Sequence, residues 1–148
     1  MPTQLTAAVA RESLNAHVAV KGAEIFEKYG PHIGWQELQA LLKDTVFTRY
    51  PCEIAFDASG LGPGEFAHPV AKGETPEAGF RMHVHPIFMT QLDMVPALVL
   101  YQLVLVNYGV FAATEDAETF GAHALGLERE DYYRQLCEAA DQLGGCGG

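Results

Sequence analysis

Residues 94–106 form a run that is apolar on every side except at Gln102, and this run is the strongest constraint on the fold. A helix without a polar stripe has no face to present to water, so it has to lie at the centre of a core. The run is too short to span a bilayer, which takes about 20 residues. Asp93 before it and Gly109 after it are typical of the positions that flank a helix. The sequence therefore predicts a buried central helix.

Helical periodicity also marks both ends of the chain. The other helices are predicted over residues 6–28 and 35–43, from residue 114 onward with Thr114 as the cap, and over residues 129–143. In the last of them the spacing puts Tyr133, Leu136, Ala140 and Leu143 on the inner face. Residues 144–148 are glycine-rich around Cys146, so we expect a flexible tail there.

Between these two groups of helices the apolar period changes to two, which is typical of half-buried strands. The alternating apolar positions are Cys52, Ile54 and Phe56 in one segment and Phe80, Met82 and Val84 in another. A weaker strand around His68 contains Pro69, which confines it to a sheet edge. We therefore predict a single α+β domain over residues 1–143. Its small, largely antiparallel sheet of two to four strands should pack on the central helix, with helices at both ends of the chain.

The charge of the chain limits the classes of partner. Its formal net charge is −10, and its nine Lys and Arg residues are scattered along the sequence. Nucleic acid and anionic membrane surfaces would be repelled by such a field, so neither is expected as a partner. Three widely spaced cysteines and the lack of a secretory signal favour a cytoplasmic protein. We expect a protein or a small molecule as the partner, and the oligomeric state does not follow from the sequence.

The central helix contains Tyr101-Gln102-x-x-Leu105, and Ala117-x-x-Phe120-Gly121-Ala122-x-x-Leu125 follows it. This order of elements resembles small, ImmA-type zincin metallopeptidases, whose helix carries His-Glu-x-x-His. The resemblance implies that Tyr101 and Leu105 stand where the two zinc ligands would be, and Gln102 where the general base would be. For the acidic third ligand it implies Glu115 or Asp116.

The residues at these aligned positions differ from the zincin motif, and the differences decide which activity the resemblance allows. Leu105 cannot bind zinc, and the amide of Gln102 cannot act as a base, so we expect no peptidase activity. In the alternative interpretation, Tyr101 and Gln102 are polar groups hydrogen-bonded around a buried helix.

A second candidate site is His83-Val84-His85. Residues two apart on a strand point to one face, so both imidazoles could bind a divalent transition metal. His68, with Glu65 three residues before it, could complete the site from the neighbouring strand. The alternative is a solvated histidine pair on an edge strand.

Two function hypotheses follow. The first is a non-catalytic accessory or binding protein on a degenerate zincin-like scaffold. The second is a metal-binding protein or metalloenzyme that uses His83 and His85, with His68 as the third ligand. The sequence identifies no catalytic residue and no organic cofactor, and it leaves the role of Cys146 open.

Overall fold

The computed structural model of the chain describes residues 7–143, and the side chains of residues 12–143. The elements are α1 (Ala7–Tyr29), α2 (Trp35–Leu42), β1 (Cys52–Phe56), β2 (Ala67–Ala71), β3 (Phe80–Val84), α3 (Val95–Tyr108), α4 (Thr114–Leu125) and α5 (Arg129–Asp141). The predicted α+β class, with helices at both ends, is confirmed. The predicted tail with Cys146 lies outside the described residues. None of the described helices is both long and apolar enough to cross a bilayer.

Helix α3 is the centre of the molecule, as predicted. Eleven of its fourteen residues are buried, and no other described helix or strand is buried to that extent. It packs against β2 and β3 on one side and against α2, α4 and α5 on the others. The helix begins at Val95 and not at Met94, which is its N-cap, and Pro96 lies in its first turn. It ends at Tyr108 and is followed by Gly109, whose φ of 59° is a backbone conformation that glycine adopts without strain.

The three strands form one sheet in the order β1-β3-β2. β2 runs antiparallel to β3, and β1 runs parallel to β3. The sheet is therefore mixed rather than largely antiparallel. The reason is that the chain reverses direction twice between β1 and β3, and then inserts β3 between the two earlier strands. A small sheet packed on the central helix is confirmed.

Strand β2 lies at an edge of the sheet, as its proline predicted. Two backbone hydrogen bonds flank its ends. Before the strand, the oxygen of Phe66 accepts from the nitrogen of His85 at 2.9 Å, and after it the nitrogen of Lys72 donates to the oxygen of Gly79 at 3.0 Å. Because the backbone alternates along an antiparallel strand, Pro69 faces away from β3. Its missing N–H group therefore removes no hydrogen bond from the sheet.

The inner face of α5 differs from the prediction. The predicted inward residue Tyr133 is 55% exposed, and the buried residues of the helix are Tyr132, Leu136 and Ala139. The hydroxyl of Tyr132 donates to the oxygen of Ala97 in α3 at 2.7 Å. Its ring lies against Gly121, where any side chain would collide with it. Adjacent tyrosines fit the helical period almost equally well, and the space at Gly121 selects Tyr132.

Two leucines of α3 test where the core lies. Leu103 is fully buried, whereas Leu105 is 36% exposed. We expect Leu103→Ala to lower the free energy of unfolding by about 2–5 kcal/mol, because it leaves a cavity at the centre of the core. Leu105→Ala is the matched control and should lower it by much less. Chemical denaturation of both variants measures the difference, and equal losses would contradict the assignment of the core.

Candidate functional site

A cleft of about 320 Å³ lies where the start of β2 meets helices α3, α4 and α5. This volume is within the range of pockets that bind small molecules. The residues that line it are Gly64, Glu65, Phe66, Ala67, Tyr101, Gln102, Thr114, Glu118, Tyr133, Leu136, Cys137 and Ala140. Two of the three positions aligned with the zincin motif, Tyr101 and Gln102, therefore face one cleft, whereas Leu105 does not line it.

Tyr101 connects the edge strand to the helices around this cleft. Its ring packs edge-on against Phe66, with 6.2 Å between the ring centroids. Burial raises the pKa of the Tyr101 hydroxyl above its usual value; a hydrogen bond with Thr114 lowers it in part and the charge of Glu118 raises it further. Tyr101 is therefore a neutral phenol at physiological pH, able both to donate and to accept a hydrogen bond.

Gln102 is the unusual polar residue of the cleft wall. It is 8% exposed, and within the described part of the chain its buried oxygen Oε1 has no hydrogen-bond partner. Five residues further along α3, the equally buried Asn107 has partners for both ends of its amide. Its Oδ1 accepts from the nitrogen of Arg49 at 2.8 Å, and its Nδ2 donates to the oxygen of Phe47 at 2.7 Å. The prediction of a hydrogen-bonded amide therefore does not hold for Oε1 of Gln102.

Glu118 brings a carboxylate to the cleft that the sequence did not single out. Its side chain is 16% exposed, and Arg129 donates to Oε1 from Nε at 3.2 Å and from Nη2 at 3.0 Å. Its position one turn after Thr114, on the same face of α4, is the sequence signal that could have identified it. Cys137 was also missed as a cleft residue: its side chain is half-buried.

The two acidic residues that the resemblance favoured have other surroundings. Asp116 is buried; its carboxylate accepts from the nitrogen of Ala113 at 2.9 Å and from Nδ2 of Asn15 in α1 at 3.1 Å. It thus caps α4 and ties α4 to α1. Glu115 is exposed, and its Oε1 lies 4.0 Å from Nη1 of Arg129. Neither residue lines the cleft.

The candidate metal ligands lie on the sheet. His68 and His83 are direct partners across β2 and β3, so their side chains share a face. His83 is buried beneath Gly60, and its Nδ1 donates to the oxygen of Asp57 at 3.2 Å. A side chain at position 60 would collide with this ring. His83 therefore keeps the lone pair of Nε2 for a ligand.

His85 follows the end of β3 and has a different partner. Its Nδ1 accepts from the nitrogen of Ile87 at 3.2 Å, which places the ring proton on Nε2 and leaves no lone pair for a metal in this arrangement. His68 lies 3.7 Å from Glu65, measured from Nδ1 to Oε2. Among the described residues, no three His, Cys, Asp or Glu side chains are grouped so that they could hold a metal ion. Metal binding by His83, His85 and His68 stays a prediction.

Comparisons with known proteins identify no relative of this chain. No family model, curated protein or solved structure matches this chain.

Replacing each of the two buried amides of α3 should affect stability in opposite ways. Gln102→Met removes an oxygen that has no partner within the part of the chain that the structure describes, so we expect the free energy of unfolding to stay the same or to rise by about 1 kcal/mol. Asn107→Leu, its control, should lower it by about 1–3 kcal/mol for each backbone group left without a partner. Denaturant unfolding measures both variants. A large loss in Gln102→Met would show that its amide has a structural role.

Proposed function

We propose that this chain is a non-catalytic binding protein whose cleft between β2, α3, α4 and α5 takes a small amphipathic molecule. The observation that carries the proposal is that Gln102, a residue of the cleft wall, has a buried carbonyl oxygen, Oε1, without a hydrogen-bond partner among the described residues. A donor group of the ligand would bind this oxygen.

The energetic argument starts from the cost of an unpaired polar group. A buried oxygen that lacks a hydrogen bond destabilises a fold by about 1–3 kcal/mol. A ligand that donates to it removes that cost only in the bound state, so the cost becomes part of the binding free energy. The surrounding wall contains apolar groups such as Ala67, Leu136 and Ala140, with a few polar groups among them. This combination is typical of small-molecule sites.

The non-catalytic part of the proposal rests on the chemistry of the lining residues. Leu105 and Gln102 replace a zinc ligand and a general base in the alignment with zincins, so we propose a zincin-like scaffold without peptidase activity. Cys137 is a thiol in the cleft, but among the described lining residues there is no imidazole to activate it.

A screen of neutral amphipathic fragments by protein-observed NMR tests this function. Fragments that bind should shift the amide signals of Tyr101, Gln102 and Cys137. Gln102→Met should weaken binding because the acceptor is lost, by about tenfold for one hydrogen bond of about 1–1.5 kcal/mol. Gln36→Met, at an exposed site on α2, should leave affinity unchanged. The absence of any fragment that shifts the cleft signals would overturn the proposal.

The alternative function is metal binding on the outer face of the sheet. The observation in its favour is that His68 and His83 are adjacent across two strands. His85 would have to release the nitrogen of Ile87 before it could bind a metal, either directly through Nδ1 or through Nε2 after its proton had moved to Nδ1.

This alternative predicts that the purified protein keeps near-stoichiometric metal after dialysis. His83→Ala should lose that metal while remaining folded, because it removes the ligand whose Nε2 is free. His32→Ala, in an exposed turn, is the control and should keep the metal. Elemental analysis measures the content. A wild-type protein without metal, whose thermal stability does not rise with zinc, nickel or iron, would exclude this function.

A further inference from the structure

We propose that the ligand of the cleft is an organic cation, with an apolar body that ends in a protonated amine or guanidine. This inference rests on the proposed function, and it adds the charge and chemical class of the molecule that binds. It follows from the acceptors, the charges and the rings that line the cleft.

The carboxylates of Glu65 and Glu118 are acceptors only, whereas the hydroxyls of the cleft both donate and accept. Oε1 of Gln102 requires a donor. Both hydrogen bonds from Arg129 go to Oε1 of Glu118, so within the described part of the chain Oε2 stays available to a ligand. An ammonium group carries three donors and a guanidinium five, and neither carries an acceptor that would compete for them. A cation therefore matches this set of groups.

The charge of the wall has one sign. Glu65 and Glu118 are its ionisable acids, and none of the described lining residues is Lys, Arg or His. Arg129 lies at the rim, paired with Glu118, and its side chain is 48% exposed. The Glu118 side chain of this pair is only 16% exposed, but its guanidinium partner is half-exposed, so a cation that binds Oε2 of Glu118 can compete with Arg129. The net charge of −10 also attracts cations and repels anions.

Three aromatic rings line the same cleft, those of Phe66, Tyr101 and Tyr133. The face of such a ring attracts a cation. A bare metal ion fits the cleft poorly, because the described residues have no group of three donors for it and the wall carries apolar side chains such as Leu136 and Ala140. An organic cation uses the rings, the apolar wall and the acceptors together.

The test compares three small molecules of similar shape and different charge: 2-phenylethylammonium, 2-phenylethanol and phenylacetate. Affinities come from NMR titration of the cleft amides at low salt. We expect the ammonium ion to bind about tenfold more tightly than the alcohol, and phenylacetate not to bind measurably. Glu118→Gln should abolish the preference for the ammonium ion while the alcohol still binds. Glu138→Gln, at an exposed site on α5 outside the cleft, should keep the preference.

The outcomes separate this inference from the proposed function. If the alcohol binds as tightly as the ammonium ion, or phenylacetate binds more tightly, the inference is overturned and the binding function stands. If none of the three binds, the inference is overturned, and the fragment screen decides separately whether the proposed function stands. A preference for the ammonium ion that survives Glu118→Gln overturns the role given to that carboxylate, and with it the inference.

Discussion

Apolar packing on all sides of helix α3 is the constraint on which the other elements depend. Each buried Leu or Val of this helix stabilises the fold by about 1.5–3 kcal/mol, and no single neighbour could cover all of them. The sheet covers one side, and α2, α4 and α5 cover the others. Because Asn107 bonds the backbone at Phe47 and Arg49, the loop between α2 and β1 is fixed to the end of this helix. The layers of the fold thus meet at α3.

The sequence was sufficient to predict those elements whose apolar residues recur with a regular period. The strands around Ile54 and Met82 and the burial of α3 follow from alternation and from the lack of a polar stripe, and Pro69 identified an edge strand. The face of α5 was wrong by one residue, because Tyr132 and Tyr133 fit the period almost equally. The gap at Gly121 and the hydrogen bond to the oxygen of Ala97, both on other helices, distinguish them.

The cleft could be predicted only in part, because its residues come from the start of β2 and from three consecutive helices whose packing the sequence does not report. Tyr101 and Gln102 were identified as informative, but the reason given for them was a metallopeptidase alignment. Glu118 and Cys137 became relevant only when α4 and α5 were placed beside α3. Among the described residues Oε1 of Gln102 has no hydrogen-bond partner, and this depends on its neighbours in space, which no sequence pattern reports. The histidines illustrate the same limit: His68 and His83 meet through strand register, while the backbone of Ile87 occupies Nδ1 of His85.

Pro69 has a consequence for how copies of this protein meet one another. An edge strand offers its outward N–H and C=O groups to any other extended chain, and such edges promote aggregation. On β2 the middle of the three outward positions is Pro69, which offers an oxygen but no N–H group. A strand from a second copy would lose a hydrogen bond at the centre of the new pairing. The edge beside the cleft therefore resists growth of the sheet from one molecule into the next.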